Sequence, residues 1–322
     1  MKNHYYNTLT PSEKQVYDVI KNGLFRFEPQ IASPLRLANA VDVPRIYIYI
    51  SCDYPKVFYV NFYDYHYIYT ATHFVIEPYY WYTASQISKM DGKIDKLLQK
   101  IADRVQGSTQ YQKVKSLYEL LATNVTYQRV DQADRHKKVN ETNTIMGVLF
   151  YKKGMCEGVA KVFQLVANMV GVDCITVHGY ANQQYHAWNI VQIDGATYHV
   201  DATYAVSDYT KQQAMCYDYL NLCDADVATT HKPSYPVPRC TATRHNYYAQ
   251  CDLVAKSPDD IKRIVQACTK KQVVFKYDGI YANDVHAAAQ ECCNWIHYYN
   301  KRAKNVSYTY TPAYHICRVK YK

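Results

Sequence analysis

The chain has 322 residues, 48% hydrophobic and 20% charged, which supplies a buried core and excludes disorder as the main state. Only 10 Gly and 11 Pro exclude collagen-like and low-complexity chain, and a net charge of +9 admits anionic partners without requiring them. No run approaches the ~18 apolar residues of a membrane helix, and Met1–Lys14 has no apolar signal-peptide core, so no membrane partner and a cytoplasmic location are expected, although a trimmed secreted form would look the same.

Thr10-Pro11-Ser12-Glu13 has the form of a capping box, with a helix expected to about Asn22 and a stop at Gly23. Strands are expected from there to about Thr83, broken at Asp53-Tyr54-Pro55. The chain holds 36 Tyr against 8 Phe and 3 Trp, and Tyr47, Tyr49, Tyr63, Tyr65, Tyr67 and Tyr69 recur at period two, as on one face of a strand. Lys and Arg are sparse there, so a Tyr-packed sheet is expected and nucleic acid is not expected as a partner. Ile87, Met90, Ile94, Leu98 and Ile101 repeat at helical spacing up to Gly107, and Val114, Leu117, Leu121 and Val125 mark a second amphipathic helix. Residues 128–143 have the polar composition of a loop.

After the apolar run Thr144–Tyr151, Gly154 precedes a helix whose face carries Cys156, Val159, Ala160, Phe163, Ala167 and Val170, stopped by Gly171. Three strands are expected next, Cys174–Tyr180, His186–Ile193 and Ala196–Ala202, the last two joined by the hairpin signal Asp194-Gly195. Periodicity fades from Ser207 to about Gln250. Ser257-Pro258-Asp259-Asp260 opens a further helix, followed by a strand at Val273–Tyr277, a helix over Asn283–Arg302 and one or two strands over Asn305–Tyr321.

The chemistry centres on Cys156 and the hairpin. A thiolate is the nucleophilic form of cysteine, favoured at a helix N-terminus and beside a base, and Cys156 stands where such a helix begins. A two-residue loop pairs Ile193 with Ala196; counting back, His186 falls opposite Thr203, and Asp201 shares its face as a diagonal neighbour at roughly 7–8 Å between backbones. An Asp on one imidazole nitrogen leaves the other to face a thiol, so register alone suggests a Cys156–His186–Asp201 triad. A slip of one residue would break it.

Gly154-Met155-Cys156-Glu157-Gly158-Val159-Ala160 resembles the nucleophile segment of the transglutaminase-like superfamily. His186-Ala187-Trp188-Asn189 and Asp194–Tyr204 resemble its His and Asp strands, with His 30 residues after Cys and Asp 15 further. Cys52–Tyr59, Tyr217–Leu220 and Asn246–Tyr248 are similar to flanking segments of bacterial members, so the resemblance spans roughly residues 1–250. Tyr204 stands where the family commonly has Trp. The resemblance implies an α+β fold with a papain-like core, a nucleophile helix packed on an antiparallel sheet. It also implies Cys156 as nucleophile, His186 as general base then acid, Asp201 as orienter, and an acyl-enzyme formed from a peptide or protein amide. Water would then give hydrolysis or deamidation, and a primary-amine acceptor would give an isopeptide. The oxyanion would be met partly by the Cys156 N–H. The barrel and sandwich modules of animal crosslinking enzymes are absent, so calcium-dependent crosslinking is not expected. The domains expected are 1–83 (N-terminal helix and Tyr-rich strands), 84–250 (catalytic core) and 251–322 (small α/β module).

Rival features are weaker. Cys216, Cys223, Cys240 and Cys251 with His231 and His245 fit no common zinc spacing, Cys292 and Cys293 point apart on a helix, and no phosphate-binding glycine loop is present. No cofactor or metal is expected. The 11 Cys, an odd number without a CxxC pair, have the pattern of free thiols in a reducing compartment. Lys262-Arg263 and Lys270-Lys271 form a modest solvated basic face. The rival from another class is a protein-binding scaffold on the same fold, for which retention of all three triad residues is the argument against.

Overall fold

The computed structural model describes residues 1–33, 41–70, 73–128, 141–212 and 215–322. The first long helix, Pro11–Phe25, starts at the expected capping box: the Thr10 amide donates to Glu13 Oε2 at 2.8 Å, and the Glu13 amide returns a bond to Thr10 Oγ1 at 3.4 Å. It runs on through Gly23 because Leu24 on its next turn is fully buried in the same apolar cluster as Val16, Ile20 and the Val43–Asp53 residues Ile46 and Ile50.

Where strands were expected around Tyr47 and Tyr49 there is a helix, Val43–Asp53. Asp42 caps it by accepting from the Arg45 amide at 3.0 Å, Pro44 stands in its first turn, and Val43, Ile46, Tyr47 and Ile50 line its buried face. In a stretch that is apolar almost throughout, period two and period 3.6 pick out overlapping residues, and the cap settles the outcome. The strand expectation does hold for Val60–Tyr69, which pairs antiparallel with Phe74–Tyr80. A register shift between Asn61 and Tyr65 separates Tyr63 from the face shared by Tyr65 and Tyr67. Most of the expected 128–143 loop lies outside the described residues; Glu141–Asn143 forms a 3-10 turn.

The central layer is the helix Cys156–Met169 on a four-stranded antiparallel sheet, ordered Ala196–Val200, Gln184–Ile193, Cys174–Ala181, His231–Pro233. Val159, Val162, Phe163 and Val166 pack against Val191, Ile193, Tyr198 and Val200, and helices Ala84–Ala102 and Gln110–Asn124 complete this core with Leu98, Leu117 and Leu121. Gly158 lets the first turn approach closely: a Cβ there would lie 2.5 Å from the Thr144 carbonyl oxygen. The hairpin turns through Asp194 (φ 48°) and Gly195 (φ 80°), both left-handed, as a two-residue loop of the primed type requires.

The C-terminal part builds its own mixed sheet, Val254–Ala255, Gln272–Tyr277, Ile316–Lys320, Ser307–Thr311 in that order, backed by helices Pro258–Ala267 and Val285–Tyr299. Ile261, Ile264, Phe275, Ala288, Cys292 and Ile296 form its core. It meets the central layer through the ion pairs Arg318–Asp218 and Lys276–Asp226 and a 3.2 Å bond from the Tyr314 hydroxyl to Thr230 Oγ1. The architecture is α+β. Among the described residues, no helix is long and apolar enough to cross a membrane.

Candidate active site

Met155 is extended (φ −99°, ψ 179°) and the helix begins at Cys156, which places its thiol in the positive end of the helix dipole. His186 lies on the middle strand Gln184–Ile193, 8% exposed. The hairpin register is the expected one, from Ile193 opposite Ala196 to Asn189 opposite Val200. The third strand stops earlier than expected: it ends at Val200 and a helix begins at Ala202, so His186 never pairs with Thr203. The cause is Asp201 itself, which caps that helix by accepting from the Thr203 and Tyr204 amides on Oδ1 at 3.0 and 3.2 Å. Its other oxygen, Oδ2, accepts from His186 Nε2 at 2.6 Å.

Burial alone would lower the His186 pKa; the Asp201 carboxylate and then the Cys156 sulfur, which hydrogen-bonds the imidazole, raise it instead to about 10. Asp201 is fully buried, which favours its neutral form, yet the imidazoles of His186 and His231 hold it far below the usual carboxylate range. The three expected site residues therefore form one continuous contact chain.

Cys156 and His186 open onto a cavity of about 380 Å³ walled by Phe58, Val60, Tyr63, Trp81, Met155 and Tyr185, among others. One wall holds a buried ion pair, Glu157 Oε1 to Lys161 Nζ at 2.6 Å, one turn apart on the Cys156 helix. Tyr63 and Asn143 donate to the other Glu157 oxygen at 2.9 and 3.1 Å, and Lys161 donates to Ser51 Oγ at 2.7 Å. Burial favours the neutral acid, but Lys161 and then His178 outweigh it, and the Glu157 pKa is lowered.

Sequence reasoning missed His231 in this setting and weighed it only with the cysteines. Its Nε2 lies 3.1 Å from Asp201 Oδ2. It sits in a three-residue strand that reaches the sheet edge beside Ala181, in Pro-rich chain with no local periodicity to reveal it. The hydroxyls of Tyr63 and Tyr185 at the cavity were likewise masked by the general abundance of Tyr.

Among the described residues two groups bring three metal-capable atoms within 4.8 Å: His186, Asp201 and His231, and His199, Asp224 and Cys240. Hydrogen bonds account for both. In the second, the Trp188 indole donates to His199 Nδ1 at 3.1 Å, which leaves the proton on Nε2 for Asp224 at 3.0 Å. The group formed by Cys216, Cys223, Cys240, Cys251, His231 and His245 does not assemble among the described residues, and all eleven cysteines are free.

Residues 99–202 match the model of the Transglutaminase-like superfamily, a span that contains Cys156, His186 and Asp201. The match is shorter than the 1–250 resemblance read in the sequence. Kyphoscoliosis peptidase of Homo sapiens is 28% identical over 134 residues, covering 38% of this chain and 19% of its own length. A crystal structure of a TGase is similar at 20% identity and a TM-score of 0.31, over 44% of this chain and 43% of that one. A structure from Cytophaga hutchinsonii, proposed to be a cysteine protease, is similar at 19% identity and a TM-score of 0.28, over 41% of this chain and 51% of that one.

Proposed function

We propose that the protein is a cysteine-dependent acyl-transfer enzyme acting on peptide or protein amides through Cys156, His186 and Asp201. The observation that carries this reading is the 2.6 Å contact of His186 Nε2 with Asp201, on an imidazole whose other partner is the Cys156 sulfur at the mouth of a cavity. His186 stabilises the thiolate as its imidazolium. The sulfur attacks the amide carbonyl, and the oxyanion meets the Cys156 N–H at the helix start. As the C–N bond breaks, His186 gives its proton to the leaving amine, leaving a thioester on Cys156. His186, now neutral, takes a proton from water for hydrolysis, or from a primary amine for transamidation. Hydrolysis is the favoured outcome, because water needs no second binding groove. Under this reading residues 84–250 are the catalytic core, and 251–322 are a module docked on it.

The test is labelling by a thiol-directed acylating probe, with a labelled primary amine and a proteome digest read by mass spectrometry. Cys156 should be the labelled residue and Cys156→Ala should abolish both labelling and turnover, a loss of at least roughly 10⁴-fold, with the circular dichroism unchanged. Full labelling of the folded variant would reject the assignment and favour the scaffold reading.

A further inference from the structure

Asp201 receives more than a triad needs. Its Oδ1 is already fixed by the Thr203 and Tyr204 amides, so the carboxylate stays in place without help from His231. His231 nevertheless places Nε2 on the same oxygen that serves His186, at 3.1 Å, with its side chain 1% exposed and outside the residues lining the cavity. A carboxylate only accepts, so the His231 Nε2–H donates a hydrogen bond to it. In that tautomer Nδ1 accepts, and Thr230 Oγ1 lies 2.9 Å away to donate, closer than its other acceptor, the Val227 carbonyl at 3.3 Å. The Tyr314 hydroxyl, from the C-terminal module, donates in turn to Thr230 Oγ1 at 3.2 Å. One directed chain of hydrogen bonds thus runs from Tyr314 to Asp201.

We propose that His231 is a positioning residue that draws on the charge of Asp201 and so keeps the His186 proton transferable, with Tyr314 and Thr230 fixing its tautomer. The proposal rests on the triad reading. A donor on Oδ2 weakens that oxygen as a partner for His186. Without it, the imidazolium holds its proton more tightly and releases it less readily to a leaving amine. Among the described residues the titratable groups around His231 are Asp201, His186 and Tyr204, with Tyr314 behind Thr230 and His199 interacting from beyond. Around His186 stand in addition Cys156 and His178.

The experiment is the titration of His186 by ¹⁵N-histidine NMR, with Cys156→Ala as background, where loss of the sulfur brings the midpoint into a convenient range. Adding His231→Leu should raise the midpoint by about one pH unit, a roughly tenfold tighter hold on the proton. His231→Gln, whose amide N–H can reach the same oxygen, should leave it in place. Thr230→Val, a milder change that guards against misfolding of the Leu variant, should raise it by less. An unchanged or lowered midpoint in both His231→Leu and Thr230→Val, or no rescue by Gln, overturns the proposal. If Cys156→Ala itself fails to lower the midpoint, the triad reading has failed instead.

Discussion

Two buried imidazoles sit on adjacent strands of one sheet, and they differ in almost every electrostatic respect. His178 pairs with Ala187, and Gly179, the next residue, pairs with His186. His178 is pushed down to about 4 by burial, whereas His186 is lifted to about 10 despite burial. The difference lies in the partner. His186 has a carboxylate at 2.6 Å that, among the described residues, no Lys or Arg pairs, while His178 faces Glu157, whose charge is taken up by Lys161 at 2.6 Å, and bonds the neutral hydroxyls of Tyr185 at 2.9 Å and Tyr63 at 3.4 Å. Burial raises the stakes for a titratable group, and the nearest uncompensated charge sets the sign.

Asp201→Asn is the most direct way to break this contrast. It should remove the largest support of the His186 imidazolium, lower its titration toward that of His178, and slow acylation by an activated ester roughly ten-thousandfold in a stopped-flow assay. Lys161→Met works from the other side. It leaves Glu157 buried without its cation, so unfolding in urea should show a loss of about 3 kcal/mol, with the His178 titration rising toward that of His186.

A smaller effect follows from linkage. Folded His186 titrates near 10 against 6.5 unfolded, so its stabilising contribution is whole below pH 6.5 and lost as pH rises through 10. Asp201 is depressed in the fold, so its contribution is whole above its unfolded value of 3.8 and lost as the medium becomes more acid. Between pH 7 and 9 the contribution of this group to the unfolding free energy should therefore fall, by at most about 1.4 kcal/mol per pH unit, and the His186→Gln variant should lack that component. Ser257→Ala, which removes the cap accepting from the Asp260 amide at 3.3 Å, should cost about 1 kcal/mol and move neither imidazole titration.

Much of the site was legible in the sequence because short-range rules fix it. The Asp194-Gly195 turn sets the hairpin register, and that register brings His186 near Asp201; Gly154 ahead of Cys156 and the apolar face after it mark where the helix begins. The same Asp201 that completes the constellation also ended its strand two residues early, a cap hidden in what had the pattern of a continuous strand. The helix Val43–Asp53 was hidden because Ile and Tyr alternate in a segment buried on most sides. The shift between Asn61 and Tyr65 changes which face Tyr63 presents, and a bulge carries no compositional mark. His231 was beyond reach for a different reason: its contact with Asp201 spans 30 residues of irregular chain and depends on tertiary placement alone.

The most direct measurement is a histidine NMR titration of the intact protein, with His186 and His178 assigned by substitution. His186 should remain an imidazolium through pH 8 and lose its proton near 10, while His178 stays neutral above about pH 5. A His186 signal that titrates at or below 6.5 in the folded protein would contradict the Cys156–His186–Asp201 assignment at its root.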